Sequence, residues 1–431
     1  MVEGLAAGFR ALDHAAHALP SPINEGEAAA VCRQLDVDVL IQVNRFRPIY
    51  NPLPAKVRHV AWFQDIFPET TDIDVNRFHA SDIVYALGDP GVLGLNMSLP
   101  CQVGTLLTGV DESNLSLQPN ISQAKSVDFS LCGYIPPPNR ISRSPRQDLI
   151  WYIKDTIRRT PLIGRPLPMR LFWRYVFKNL QDSNYVPYAI SAALRGTVEA
   201  LYEPLHGNLD IHELATAMRE VVAPVLARSR RRSRSRPKGP RRSRLGFIMA
   251  PYESVPFGVQ PEVEFWINYF AREYPRLLDR RLLVQNALMI SKNVQLYGDG
   301  WQNHDEFRPY NKGFIVAQRD LLDVYARSRL NLMNNTHGIG LHSRSLECMA
   351  VGGFIFTHGS PHDDRPGGLE TSFEPGVHYG VYTVDTFPDD ARRWLAASDA
   401  RVDAGAKAAD IVRQKHLWRH RAAQVIADLK R

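Results

Sequence analysis

Short, unbroken apolar runs, each closed off by Pro, Gly, Asp or Asn, constrain the fold of this chain more than any other feature. Residues 37–43, 59–63, 83–87 and 102–107 form a first series. Each is rich in β-branched or aromatic side chains, which fit a pleated strand. Their hydrophobicity is continuous rather than alternating, so both faces need cover. That predicts a parallel sheet flanked by helices. A second series starts at residues 126–135 and resumes at 294–301, 313–316, 329–333 and 353–356, with helical patterns at 318–328 and 343–351 between the runs. Strand alternating with helix predicts a second doubly wound sheet, and the fold class is α/β.

The boundary between the two series falls near residue 122. Residues 1–18 carry a helical stripe of Leu5, Ala6, Phe9, Leu12 and Ala16. A doubly wound domain ordinarily opens with a strand and a Gly-rich turn, so the first strand of this one is expected to be missing or to lie upstream. Residues 145–290 interrupt the second series. Aromatic and aliphatic residues at helical spacing there predict a helical insertion. Within it, residues 228–244 hold nine arginines and one lysine with no hydrophobe, a composition expected to be disordered. This segment explains the net charge: of +7 overall, removing its ten cations leaves about −3. The four cysteines, Cys32, Cys101, Cys132 and Cys348, lack metal or redox spacing and read as buried free thiols. With no run of eighteen apolar residues and no signal-peptide pattern, the expectation is a cytoplasmic protein.

Chemistry concentrates in residues 337–357. They read as a Gly-containing loop, a helix of about three turns, a Gly-Gly stop at Gly352-Gly353 and a short buried strand. A loop feeding a helix start offers unpaired N–H groups and the positive end of the helix dipole to a phosphate. His342 and Ser343 lie in the first turn, and Arg344 adds a forked cation. Glu347, an acceptor-only group one turn on, is placed to take two neighbouring hydroxyls. A phosphate and a diol are what a nucleotide sugar presents. A plainer reading keeps Arg344 and Glu347 as an i, i+3 surface ion pair. Gly298-Asp299-Gly300 makes a sharp turn after a strand, and Tyr310, Lys312 and Gly313 enter the next run and border a base in this reading. Asp65 follows the strand at 59–63, where a general base for a sugar hydroxyl would stand, or where a carboxylate would cap a helix.

Several stretches together resemble the CgeB-like (spore-maturation-type) branch of the group 1 GT-B glycosyltransferases. They are residues 296–301, 321–332, 344–354 and 373–376, with 416–422 similar to the family's closing helix. Thr108-Gly109-Val110-Asp111 resembles the segment that ends the first domain. The resemblance implies two Rossmann-like domains facing a cleft, an acceptor-side domain at 1–122 and a nucleotide-sugar-binding domain at 123–431, with a last helix returning to the first. It implies a metal-independent transferase with no cofactor, taking a nucleotide-sugar donor and a hydroxyl acceptor on a glycan, lipid or protein. Glu347 would accept from the ribose. His342, Ser343 and Arg344, entered through Gly340, would lie near the diphosphate beside the Gly298–Gly300 turn, and residues 312–314 near the base. Two departures stand out. Ile339 occupies the place of a second glutamate found eight residues before the ribose-binding one. The loop at 135–143 offers only Arg140 where the family supplies a diphosphate cation. A catalytically weak nucleotide-sugar binder is one alternative. Another is a binder of anionic polymers or surfaces through residues 228–244, with nucleic acid disfavoured because no aromatic residues interleave the arginines.

Overall fold

The structure, a computed structural model, describes residues 1–19, 21, 23–48, 51–64, 77–91, 99–115, 125–135, 217–218, 220, 274–334 and 339–431. The chain opens with α1 (Val2–Arg10) and α2 (Glu25–Gln34). Asn24 caps α2 in a reciprocal box: its side chain accepts from Glu27 N, and the Glu27 carboxylate accepts from Asn24 N, each at 2.9 Å. Four strands follow, β1 (Val39–Val43), β2 (Arg58–Phe63), β3 (Ile83–Ala86) and β4 (Gln102–Thr105), then the single turn α3 (Glu112–Leu115). They form one parallel sheet in the order β1-β2-β3-β4. β3 is buried along its whole length and β2 beyond its first residue, as continuous apolar strands require, whereas β1 at the edge is half-buried throughout.

The second unit holds β5 (Val127–Cys132), α4 (Tyr274–Ile290), β6 (Val294–Tyr297), α5 (Gln318–Arg327), β7 (Ser328–Met333), α6 (Ser343–Ala350), β8 (Ile355–His358) and β9 (Gly380–Tyr382). Three helices close the chain, α7 (Phe387–Ala396), α8 (Ser398–Lys415) and α9 (Trp418–Leu429). Its sheet is parallel in the order β6-β5-β7-β8-β9, so the strand order reverses at β5. In open α/β sheets the crevice at such a reversal, beyond the C-terminal strand ends, is where ligands bind. Here that place lies between the ends of β5 and β7.

Three expectations are corrected. The first helix ends at Arg10, well short of residue 18, and the chain turns at Asp13 with φ 62°. Residues 313–316 are not a strand. Beyond one bridge between Asn311 and Leu296 this stretch leaves the sheet, and Phe314 and Val316 stand 73% and 89% exposed with no strand to pair with. α6 has eight residues, a little over two turns, because Gly352 N bonds to Met349 O and Gly353 N to Cys348 O and so close it early. The helical insertion lies mostly outside the described residues, as do residues 228–244. All four cysteines are free, but only Cys32, Cys132 and Cys348 are buried, whereas Cys101, just before β4, is partly exposed. Among the described residues no helix is long and apolar enough to cross a membrane.

The last helix joins the two units. Val110 and Leu417 form a parallel bridge, with Val110 N donating to His416 O (2.8 Å) and Trp418 N to Val110 O (3.2 Å). α9 then lies against α1 and the end of the first sheet. Arg421 Nε donates to Thr108 O (2.9 Å), Gln424 Nε2 to Thr105 O (2.7 Å) and Tyr85 Oη to Asp428 Oδ2 (2.7 Å). The Trp418 indole stands edge-on to Trp62, their centroids 6.2 Å apart.

Candidate functional site

β5 ends in Cys132-Gly133-Tyr134, and each of these three consecutive carbonyls is taken by a side-chain N–H from a different element. Arg344 Nη1 of α6 donates to Cys132 O (2.7 Å), Trp301 Nε1 to Gly133 O (2.7 Å), and Arg280 Nη1 of α4 to Tyr134 O. The amides of the same loop point the other way. Gly133 N donates to Tyr297 O and Ile135 N to Asp299 O, both at 2.8 Å. The strand end is thereby fixed, and the negative ends of its peptide dipoles are covered by cations or by indole. A strand end whose carbonyls are neutralised in this way tolerates an anion alongside.

The cations come from two helices. Arg276 and Arg280, one turn apart on α4, both stand over the Tyr134 ring, with guanidinium carbons 5.5 and 5.0 Å from its centroid. Arg280 also donates from Nε to Asn334 Oδ1 (3.0 Å), just past the end of β7, so it ties the two strand ends at the reversal together. Arg344 reaches the same place from the first turn of α6. No side chain caps the start of that helix. Its N-terminal N–H groups therefore add their partial positive charge to the three guanidiniums.

His342 occupies the cap position of α6, half-buried, with Ser345 Oγ 3.5 Å from its Nε2. Burial holds its pKa well below 6.5, and the charges of Arg344, Arg280 and Arg276 push it the same way. The ring is neutral at physiological pH and keeps one donor and one acceptor nitrogen. Glu347, also half-buried, shows the opposite response: burial raises its carboxyl above 4.5, and a hydrogen bond with the Gln318 side chain at the start of α5 partly offsets this, as does Arg344. Glu347 and Arg344 sense each other electrostatically, but no ion pair between them is formed at contact distance among the described residues. Burial pushes the Cys132 thiol up to about 12, so it is protonated and a poor nucleophile.

The other expected residues fall around this centre. Gly298 and Gly300 press on the β5 loop rather than line open space. A Cβ on Gly298 would come 2.5 Å from Gly133 O, and one on Gly300, whose φ is +97°, would land on the Ile135 carbonyl. Lys312 and Gly313 adjoin this turn through Gly298 N to Gly313 O (2.9 Å) and Lys312 N to Leu296 O (2.8 Å). Tyr310 lies partly buried on a 3-10 turn against the core. Gly340 backs onto Leu369, and Ser343 is half-buried at the helix start. Asp65 and Arg140 lie outside the described residues. Sequence reasoning missed Arg276, Arg280, Trp301 and Gln318. The one available signal was the i, i+4 spacing of the two arginines, which sets both on one helix face. Among the described residues no cluster of three or more His, Cys, Asp or Glu is arranged to hold a metal ion.

Residues 275–427 match the family described as Glycosyl transferase-like. The match supports a transferase. It runs from α4 to α9 and so takes in Arg276, Arg280, Arg344 and Glu347, on about a third of the chain. No curated protein matches the chain.

Proposed function

We propose that this protein is a GT-B glycosyltransferase that moves a sugar from a nucleotide-sugar donor to a hydroxyl of a glycan, glycolipid or protein. The observation that carries the reading is the convergence at the β5/β7 reversal. There the uncapped start of α6, three guanidiniums and a neutral imidazole stand beside a half-buried carboxylate on the same helix. In this reading the diphosphate lies against Arg344, His342 and Ser343. Arg276 and Arg280 supply the cations for which Arg140 was the sequence candidate. Glu347 accepts from the ribose hydroxyls, and Lys312–Phe314 borders the base. Charge developing on the leaving diphosphate is met by guanidinium and helix N–H groups, electrostatic stabilisation that needs no metal. The first unit, held by α9, faces the donor site and takes the acceptor. If the enzyme inverts, Asp65 is the base that deprotonates the acceptor. Four free thiols, three of them buried, fit the reducing cytoplasm.

A thermal-shift screen against UDP, GDP, ADP, CMP and their sugars tests this, because a ligand that binds only the native state raises its stability. One nucleotide series is expected to raise the melting temperature of wild type. Glu347→Gln removes a charge-assisted pair of hydrogen bonds, so that shift should shrink as affinity drops about 10–100-fold. The ligand-free variant should melt no lower than wild type. Burial has raised the folded pKa of Glu347 above its unfolded value, so its contribution to stability is greatest below the unfolded pKa and is lost as pH rises through the folded one. A screen in which no nucleotide shifts wild type would sink the reading.

A further inference from the structure

We propose that Gly88 and Gly367 are positioning residues. They meet backbone to backbone between the two units, with Ile339 wedged beside them, and set how closely the first unit closes on the entry to α6. Gly88 follows β3, two positions past its last residue. A Cβ there would come 3.0 Å from Pro366 O, 3.5 Å from Ile339 Cγ1 and 3.7 Å from Gly367 Cα, so its three nearest neighbours all belong to the second unit. A Cβ on Gly367 would lie 2.7 Å from Gly88 Cα and 3.6 Å from Ile339 Cγ2, and φ at Gly367 is +94°. A side chain at Gly367 would clash and would meet a backbone conformation that side chains resist, while one at Gly88 would need Pro366 O to give way by a few tenths of an ångström.

The contact is anchored on both sides. Thr105 Oγ1 at the end of β4 donates to Gly88 O (2.9 Å), fixing the glycine to its own sheet. Gly367 O accepts from Leu341 N (2.9 Å), one residue before the His342 cap. Gly340 abuts Leu369, so residues 339–342 are gripped by the segment that Gly88 touches. A displacement of Gly367 is thus passed directly to the residues that lead into Arg344. Closure of this kind brings reacting groups into register, and an error of about 1 Å in such placement costs roughly 100-fold in rate.

Gly88→Val is the direct test. Gly88 has no left-handed φ, and the crowding it meets comes from the other unit, so the substitution should prop the units apart without straining its own loop. Small-angle scattering should show a larger radius of gyration than wild type, with Gly88→Ala intermediate. Turnover of the UDP-, GDP-, ADP- or CMP-sugar that wild type hydrolyses should fall in kcat by about 100-fold. The affinity for the corresponding nucleotide should fall far less than kcat, because none of its proposed ligands is itself replaced. Wild-type scattering from both Gly88→Val and Gly88→Ala would overturn the proposal. So would an expanded variant that keeps full turnover. If Gly88→Val fails to fold, the alanine variant decides. The turnover arm rests on the transferase reading and the scattering arm does not. A wild type that turns over no nucleotide sugar therefore counts against that reading alone.

Discussion

His59 and His416 are each held neutral by burial, and this gives the fold a defined acid limit. His59 is fully buried, its Nε2 3.0 Å from Gln42 Oε1, and its pKa is pushed down to about 4, first by burial and then by Arg47 and Arg77, with Asp82 opposing. His416 is stacked on Phe373 and accepts from Arg421 Nη2 at Nδ1 (2.6 Å). Burial, then Arg421, Lys415 and His420, lower it to about 3. The unfolded chain binds protons on these rings near 6.5 while the fold does not. Their contribution is therefore complete above about 6.5 and is lost as pH falls from there toward 4 and 3. Urea unfolding at pH 7.5, 6 and 5 should show declining stability, and the decline should be shallower in the His59→Gln, His416→Gln double variant. An equal slope in both proteins would contradict the assignment. At this scale the sequence was readable where chemistry and local order coincide. His342, Ser343, Arg344 and Glu347 lie on one helix start, and the chain brings them together without help from elsewhere. Arg276 and Arg280 were not readable as site residues, because only the packing of α4 beside β5 carries them to Tyr134.

Among the elements, the end of β5 does most to hold the site in shape, through the three side-chain N–H groups on its successive carbonyls. Trp301 is fully buried, and its indole is the donor to Gly133 O. Trp301→Phe keeps an aromatic ring but leaves that buried carbonyl unpaired, a loss of about 1–3 kcal/mol. Equilibrium denaturation should register it, along with weaker nucleotide binding as the loop under Arg344 relaxes. Unchanged stability would mean that the carbonyl finds water. Continuous apolar runs located the strands because burial on both faces leaves a direct mark on composition. The same rule misled at residues 313–316. Phe314, Ile315 and Val316 look like a strand in isolation, but the chain follows the open edge of β6 only as far as the Asn311 bridge and the bond from Gly298 N to Gly313 O, and β6 ends at Tyr297, so the stretch beyond has no strand alongside it. The order β6-β5-β7-β8-β9, which puts the crevice where it is, is a property of long-range pairing and left no mark on any one segment.

For the molecule as a whole, the two units are coupled by a helix that belongs to one by sequence and to the other by contact. Trp418 fits where Gly4, Gly8 and Gly109 leave space for it, and it is 7% exposed. Trp418→Ala should cost about 3–5 kcal/mol by the usual measure for a buried tryptophan. The loss should appear first as exposure of Trp62, read by tryptophan fluorescence, because that ring is its neighbour. A variant that melts in a single transition at the wild-type temperature would show that α9 contributes little. The resemblance of residues 416–422 to a closing helix made this return legible in outline. The fit of Trp418 among the glycines was not, since it needs three distant segments at once.

That arrangement also has a consequence for the order in which the protein is made. Trp62, Tyr85 and the carbonyls of Thr105 and Thr108 take their partners, Trp418, Asp428, Gln424 and Arg421, from more than 300 residues further along the chain. Domains generally fold as units, N-terminal first, as they leave the ribosome. Here the first sheet must wait, with an apolar face uncovered, while some 300 further residues are added. A chain released early would present that face to its neighbours, so incomplete synthesis should yield aggregates rather than a working half-molecule.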